Sequence, residues 1–198
     1  QAQERRKEGE DSIRNIRVAF MLKTKFLKPD RVLIEAGIRP GMTVADLGAG
    51  NGFFMLAASD LVGEQGRVLG VDILEEALGR IMAQARLERR KNIRTMRCDL
   101  DSQAIHSLPE LSFDFVILGK VLAQIKHPEN LIRETYKILK TGGFVLVVEW
   151  KKENAAFPQP LEYQLTKEQI KQQFRKHGFH LTKELDTDKY HFALVFKK

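Results

Sequence analysis

The residues best placed by type and spacing to do chemistry are an acid and three glycines in one short stretch. Asp46 is followed by Gly48, Gly50 and Gly52, so glycine occupies every second position of the turn. Glycine adopts positive φ values without steric cost and lets a ligand approach the backbone closely. The apolar run before Asp46 predicts a buried strand, and the helix predicted after Gly52 aims its free N–H groups into the same space. The pattern predicts a site for a nucleotide-like ligand.

Three ligand classes use glycine turns of this kind, and the neighbouring residues separate them. A phosphate-binding P-loop needs Lys followed by Ser or Thr at the end of the loop, whereas Gly52 is followed by two phenylalanines. A dinucleotide fingerprint needs a third glycine for close helix–strand packing, and Phe53 occupies that position. The acid two residues before the first glycine, Asp46, repels a pyrophosphate but suits a ligand that carries an ammonium group.

This Asp-x-Gly-x-Gly-x-Gly pattern resembles motif I of the class I S-adenosylmethionine (SAM) methyltransferases. The resemblance runs from about residue 29 to the C-terminus and is strongest from Thr43 to Trp150. Within the family, the chain is similar to small members related to the ubiquinone/menaquinone methyltransferases. The resemblance implies SAM as cofactor, with S-adenosylhomocysteine as product. It places Asp46 near the amino-acid end of the ligand and the loop under the methionine and ribose portions, through Gly48, Ala49, Gly50, Asn51 and Gly52.

Two further acids follow predicted strands. Asp72 ends the second strand, where an acid can accept two hydrogen bonds from ribose hydroxyls. The same residue can also be the N-cap of the helix predicted over Leu74–Arg90, and both roles can hold because it lies at a strand-to-helix turn. We expect Ile73 to pack against the adenine. The resemblance implies that Asp99, followed by Leu100, accepts a hydrogen bond from the adenine amino group, and the alternative is a solvated loop aspartate.

The chain departs from the family's pattern after the fourth predicted strand, which ends at Gly119. Family members commonly carry a small polar residue where this chain has Lys120, and often a His pair where it has Ala-Gln at 123–124. Gly119 and Lys120 are assigned to the cofactor site. Lys120 either pairs with the carboxylate of the ligand or of an anionic substrate, or points into solvent. Lys120 and Glu149, at the end of the fifth strand, are the candidate catalytic residues, and either can be structural.

Hydrophobic periodicity predicts the elements that hold these residues. Apolar residues at helical spacing predict helices over Leu74–Arg90 and from Pro128 to a stop at Thr141–Gly143. Short apolar runs between the helices are typical of parallel strands covered on both faces. The last predicted elements are a helix and an edge hairpin, over Thr166–His177, Phe179–Leu185 and Tyr190–Lys197. We predict an α/β, Rossmann-like doubly wound fold with a mostly parallel seven-stranded sheet, a C-terminal antiparallel hairpin and helices on both faces.

Length and composition indicate one domain preceded by a basic segment. The 198 residues, 43% of them hydrophobic, suffice for one domain with a sizeable core. Residues 1–28 are interpreted as a basic amphipathic helix that forms a lid, with peripheral contact with a membrane surface as the alternative. Residues 29–198 form the SAM-binding methyltransferase domain. No apolar run approaches the roughly 20 residues that span a bilayer, and a single cysteine fits a reducing, cytoplasmic location.

The net charge of +7 widens the choice of methyl acceptor. Basic enzymes bind RNA phosphates, anionic membranes or anionic small molecules. The chain lacks a base-recognition insertion and the Asn-Pro-Pro-Tyr type of motif, so we favour a small-molecule acceptor methylated by in-line displacement, with RNA as the alternative. The five histidines show no metal-ligand spacing, and no metal is predicted.

Two other protein classes stay open on the sequence. An NAD(P)-linked oxidoreductase is opposed by Phe53 and Asp46. A SAM-binding protein without catalysis stays possible because the chain departs from the family's pattern at Lys120. The side chains that family members usually have near the point of methyl transfer are missing at this position.

Overall fold

The computed structural model describes residues 27–102, 108–151 and 164–198. Residues 1–26, which make up almost all of the segment interpreted as a lid, lie outside the described residues. Within the three described ranges, no helix has the length and apolar character needed to cross a membrane.

Helices and strands alternate along most of the described chain. The helices are α1 (Pro29–Ala36), α2 (Phe53–Val62), α3 (Glu75–Leu87), α4 (Pro128–Ile138) and α5 (Lys167–Lys176). The strands are β1 (Thr43–Leu47), β2 (Arg67–Asp72), β3 (Ile93–Arg97), β4 (Phe113–Gly119), β5 (Leu139–Trp150), β6 (His180–Leu185) and β7 (His191–Lys197). A short 3₁₀ turn, Leu122–Gln124, follows β4.

The seven strands form one sheet in the order β3-β2-β1-β4-β5-β7-β6. Strands β1 to β5 are parallel, and β7 runs antiparallel between β5 and the edge strand β6. The strand order reverses at β1, which pairs with β2 on one side and β4 on the other. Ligands of open α/β sheets bind at the carboxyl ends of the strands at such a reversal. The predicted fold, including the C-terminal hairpin, is confirmed.

Helices cover both faces of the sheet and enclose two apolar cores. Side chains of α1, α2 and α3 pack on one face, and Phe115 and Ile117 are the fully buried β4 residues there. Side chains of α4 and α5 pack on the other face, around Phe174, Phe179 and Phe196. A sheet buried on both faces leaves only its edges and strand ends open, so the loops at the strand ends carry the ligand-binding positions.

Helix starts follow the sequence signals, whereas one helix end does not. The last helix, α5, begins with a capping box in which the Thr166 and Gln169 side chains each accept a backbone hydrogen bond. The predicted end of α4 at Thr141–Gly143 is wrong, because α4 ends at Ile138 and β5 begins at Leu139. Leu139 is extended, with ψ 136°, and pairs with β4. Pairing with β4 therefore takes the chain into the sheet before the glycines are reached.

Candidate functional site

The glycine loop between β1 and α2 has the backbone conformation that its sequence predicts. Gly48, Gly50 and Gly52 have φ values of 84°, 52° and 82°, in the left-handed region that favours glycine. The N–H groups of Gly48 and Ala49 donate to the Val71 carbonyl at 2.8 and 3.0 Å, which ties the loop to β2. A Cβ at Gly48 would lie 2.7 Å from a Val121 methyl carbon. The loop therefore has its shape for packing reasons as well as for ligand access.

Asp72, at the carboxyl end of β2, holds the glycine loop and the start of the next loop together. One carboxylate oxygen accepts the Gly50 N–H at 2.8 Å, and the other accepts the Leu74 N–H at 2.9 Å. The alternative role of Asp72 as a helix N-cap is wrong, because α3 is N-capped by Leu74 and has no side-chain cap. Each carboxylate oxygen can accept a further hydrogen bond. Asp72 is therefore a half-buried acceptor placed beside the loop.

Asp46, at the end of β1, is a nearly buried acid at the same edge. Its side chain is 2% exposed, and burial raises the pKa of its carboxyl to about 7. A hydrogen bond from the Met55 backbone and the charge of Lys120 act in the opposite direction on this pKa, and the charge of Asp72 adds to the rise. A carboxyl in this state is stabilised as an anion when a cationic ligand binds next to it.

Lys120 directly follows β4 and has a strained backbone, with φ 60°. Its N–H donates to the Val148 carbonyl at 2.7 Å. Its ammonium lies 5.4 Å from the centre of the Phe53 ring and 5.7 Å from that of Trp150, within the range of cation–π attraction. Non-glycine residues at positive φ cluster at functional sites.

These residues surround a cavity of about 460 Å³ at the carboxyl edge of the sheet. This volume lies within the range of about 300–1,000 Å³ that is usual for small-molecule sites. Its lining combines the glycine loop and the start of α2 with the ends of β1, β4 and β5 and two residues after β4: Asp46, Gly48, Ala49, Gly50, Asn51, Phe53, Phe54, Gly119, Lys120, Gln124 and Trp150. Seven of the predicted cofactor residues line the cavity, and two more, Gly52 and Asp72, hold its loop.

The residues predicted to contact adenine lie outside this lining. Ile73 is 49% exposed, and Leu100 is buried in the core. The Asp99 carboxylate accepts the Asp101 N–H at 3.0 Å, as a loop aspartate commonly does. The adenine roles of these three residues stay predictions.

Glu149 is buried beneath the 3₁₀ turn and does not line the cavity. One carboxyl oxygen accepts the N–H groups of Leu122 and Ala123, at 2.9 and 3.4 Å. Burial raises the pKa of Glu149 to about 7 against the lowering effect of these hydrogen bonds. The other oxygen is buried, with no hydrogen-bond partner among the described residues. The geometry makes Glu149 a support for the turn that follows Lys120.

The sequence did not reveal a buried pair beside the cavity, Asp188 and His191. The His191 Nδ1 atom lies 2.7 Å from one Asp188 oxygen, and its ring is 4.0 Å from the Trp150 ring, centre to centre. The only local signal is Asp-x-x-His at the start of the last strand. A hydrogen-bonded pair of one histidine and one aspartate does not have the spacing of metal ligands, so the histidine pattern does not indicate it.

The cavity's groups fit the parts of SAM. Asp46 and Lys120, which line the cavity, suit the ammonium and the carboxylate, and Asp72, which holds the loop beside it, suits the ribose hydroxyls. A Cβ at Gly50 would meet nothing within 4 Å, so a ligand can approach the loop there. A doubly wound sheet with an acid before its glycine loop and a second acid after β2 defines the class I SAM-dependent methyltransferases.

The comparisons with known proteins agree with this class. A family model described as a methyltransferase domain matches residues 38–194. The chain belongs to this methyltransferase family, and SAM is the cofactor of the class. It is 32% identical over 117 residues to the ubiquinone/menaquinone biosynthesis C-methyltransferase UbiE of Hydrogenovibrio crunogenus, a match that covers 59% of this chain and 45% of the relative. UbiE of Citrobacter koseri matches equally, over 46% of its length. The chain thus spans about half the length of these curated relatives.

Two solved structures share the fold. A SAM-dependent methyltransferase from Aquifex aeolicus superposes with a TM-score of 0.79 at 24% identity, over 87% of this chain and 90% of that one. The cyclase SpnF superposes with a TM-score of 0.73 at 18% identity, over 86% and 79% of the two chains. Because one of these neighbours is named as a cyclase, the fold by itself does not specify the reaction.

Proposed function

We propose that this chain transfers the methyl group of SAM to a small-molecule acceptor. The observation that carries the proposal is the cavity at the end of β1 and β4, in which a glycine loop, a nearly buried acid and a lysine converge. The sulfonium of SAM supplies an already activated methyl group. The protein then has to align the acceptor for in-line displacement and exclude water.

In this proposal, each end of SAM has its own partner. Asp46 pairs with the ammonium, and Lys120 pairs with the carboxylate. Asp72 accepts the ribose hydroxyls on its remaining lone pairs, and the loop from Gly48 to Gly52 approaches the methionine and ribose portions. Adenine packs beside Ile73, near Asp99 and Leu100.

The acceptor in this proposal binds on the β4–β5 side of the cavity. The ribose acid lies after β2, so the opposite side of the lining is left for the acceptor. Phe53 and Trp150 provide aromatic surfaces there, with the Lys120 ammonium within 6 Å of both ring centres. Aromatic walls favour a planar acceptor. The relatives' names, which refer to quinone biosynthesis, support an acceptor of this kind.

RNA methylation is a second candidate, favoured by one cleft. A cleft of about 690 Å³ is lined by five cationic side chains, Arg67, Arg89, Arg90, Lys91 and Arg94, together with two acids. It lies at the amino ends of β2 and β3, whereas the cofactor cavity lies at the carboxyl ends. RNA phosphates bound in this cleft would hold the bases at the far edge of the sheet, and we therefore favour a small molecule.

The proposal also includes a role for the N-terminal segment as a lid and a cytoplasmic location for the protein. Residues 1–28 cover the SAM cavity as a basic helix, and residues 29–198 form the catalytic domain. The Leu27 N–H donates to Asp188 at 3.0 Å, which brings the end of this segment to the Trp150 side of the cavity. The single cysteine, Cys98, is buried and unpaired, in keeping with a reducing cytoplasm.

Transfer of labelled methyl groups tests the proposal. The chain is incubated with methyl-labelled SAM and panels of hydroxylated arenes, amines, thiols and RNA, and the products are separated by size. Label in a small product that requires the chain, and that is lost in the Asp72→Ala variant, supports the proposal. Label only in RNA supports the second candidate, and SAM binding without any transfer supports a non-catalytic SAM-binding protein.

A further inference from the structure

A buried aspartate–histidine pair lies at the carboxyl edge of the sheet, at the start of β7. The Asp188 carboxylate accepts the backbone N–H groups of Leu27, Tyr190 and His191 at 3.0, 2.9 and 2.8 Å. Its oxygens lie 2.7 and 2.9 Å from the His191 Nδ1 atom. Three backbone hydrogen bonds fix the carboxylate, and the carboxylate in turn fixes the imidazole.

The pair adjoins the acceptor side of the cofactor cavity. His191 is paired with Trp150 in the β5–β7 ladder, so their side chains lie on the same face of the sheet. Trp150 and Lys120 both line the cavity. Asp72, proposed to hold the ribose, follows β2, on the other side of β1 and β4. The pair therefore lies behind Trp150, on the side of the cavity away from the proposed ribose acid.

The second ring nitrogen of His191 is ready to accept a hydrogen bond. His191 is 7% exposed, and its buried Nε2 atom has no hydrogen-bond partner among the described residues. Leaving a buried polar atom unpaired costs about 1–3 kcal/mol, so such an atom in a native structure calls for an explanation such as a ligand. The Trp150 ring covers the imidazole face at a tilt of 38°, whereas the Nε2 lone pair lies in the ring plane. A donor would therefore have to approach Nε2 in the plane of the ring and not through the face that Trp150 covers.

The surrounding charges set the protonation state of the imidazole. Burial lowers the pKa of His191 below its usual range, Asp188 opposes that change, and Lys120 and Lys151 lower the pKa further. Burial alone would raise the pKa of Asp188, but hydrogen bonds from His191 and Tyr190 hold this pKa below its usual range. Near neutral pH, Asp188 is a carboxylate that accepts the Nδ1–H, and the Nε2 lone pair of a neutral imidazole is free for a proton.

We propose that His191 is the general base for an acceptor that is methylated on a hydroxyl oxygen, with Asp188 as its positioning residue. The inference rests on the proposed function and deepens it. His191 Nε2 takes the hydroxyl proton while the acceptor oxygen donates an electron pair to form the O–CH₃ bond. The C–S bond breaks with its electron pair on sulfur, so the positive charge of the sulfonium ends on the imidazolium. The imidazolium then releases its proton to solvent, and the atoms and charges balance.

The test compares two acceptors that differ in their need for a base. Methyl-labelled SAM is supplied with a panel of phenols and catechols, or with thiophenol, which ionises without a base. Calorimetric titration of SAM is run on each protein first. The variant is His191→Gln, and the matched control is His177→Gln, whose ring Nδ1 is also hydrogen-bonded, to the Gln173 carbonyl. We expect His191→Gln to bind SAM normally, to keep its transfer to thiophenol and to lose about 100-fold or more of its transfer to hydroxyl oxygen.

Each other outcome is decisive as well. Equal loss on both acceptors assigns His191 a structural role and overturns the inference, as does a wild-type protein that binds SAM but methylates no hydroxyl probe. Absence of SAM binding overturns the proposed function itself. NMR of ¹⁵N-histidine-labelled wild type needs neither a variant nor an acceptor: we expect the His191 proton on Nδ1 near neutral pH, and a proton on Nε2 contradicts the inference. Transfer to oxygen by the wild type should also fall in acid, because a protonated His191 cannot accept the hydroxyl proton. Since the pKa of His191 is lowered, this fall should occur at a lower pH than for an ordinary histidine.

Discussion

The Asp72 carboxylate accepts the N–H of Gly50 across 2.8 Å, so the acid after β2 and the glycine loop after β1 form one hydrogen-bonded unit. The second oxygen of Asp72 is held by the Leu74 N–H at 2.9 Å. Both oxygens keep a free acceptor position, and both are held in place before any ligand arrives. Such preorganisation lowers the entropic cost of binding.

Replacing Asp72 with Ala should weaken SAM binding. The variant loses the acceptors for the ribose and the bond that fixes Gly50. The lost hydrogen bonds to a charged group are worth about 1–3 kcal/mol, or about fivefold to 150-fold in affinity. Calorimetric titration measures the effect. Glu64→Ala, an exposed acid at the far edge of the sheet, is the control and should bind SAM as the wild type does. An unchanged affinity in Asp72→Ala rejects the ribose role.

Two glycine substitutions in the loop should show how closely each glycine is packed, through their effects on the free energy of unfolding. Gly48→Ala and Gly50→Ala both place a side chain at positive φ, which costs about 1–3 kcal/mol. Only the Cβ at Gly48 meets a neighbour, Val121, at 2.7 Å. We expect Gly48→Ala to lose more unfolding free energy in urea titration. Equal losses in the two variants contradict the close contact with Val121.

SAM binding should release a proton from Asp46. Burial raises the pKa of this carboxyl to about 7, so part of the population is protonated near neutral pH, and a neighbouring ammonium favours the anion. Calorimetry in buffers of different ionisation enthalpy counts the protons released. Asp46→Asn should bind SAM more weakly and release fewer protons. Equal proton release in the variant and the wild type shows that Asp46 does not contact the ligand's cationic end.

Glu149 should make the protein less stable as pH rises. Its pKa is raised to about 7 in the folded state, above the unfolded value of about 4.3. The folded state therefore binds more protons between these values, and the stabilisation present in acid is lost as pH rises through about 7. Urea titrations from pH 5 to 8 should show a smaller decline for Glu149→Gln than for wild type. A parallel pair of curves contradicts the raised pKa.

The fold and the shape of the glycine loop could be predicted from the sequence because both depend on local patterns. The positive φ values of Gly48, Gly50 and Gly52 follow from the residue type alone, and the position of Asp72 follows from its place after an apolar strand. The early end of α4 could not be read in this way, because it depends on pairing between Leu139 and β4, which is a tertiary contact.

The pair of Asp188 and His191 could not be predicted for the same reason. His191 lies beside Trp150 only because β7 inserts next to β5, opposite to Trp150. Glu149 appeared as a candidate base from its place at a strand end, and only the fold reveals that its carboxyl supports the N–H groups of Leu122 and Ala123. Long-range pairing decides both roles.

Parallel calorimetric titrations with SAM, S-adenosylhomocysteine and NAD test the central claim most directly. We predict micromolar binding of both sulfur ligands and none of NAD, because Asp46 repels a pyrophosphate and Phe53 occupies the position of the third glycine in a dinucleotide site. Binding of NAD, or of neither sulfur ligand, would contradict the assignment of the glycine-loop cavity to SAM.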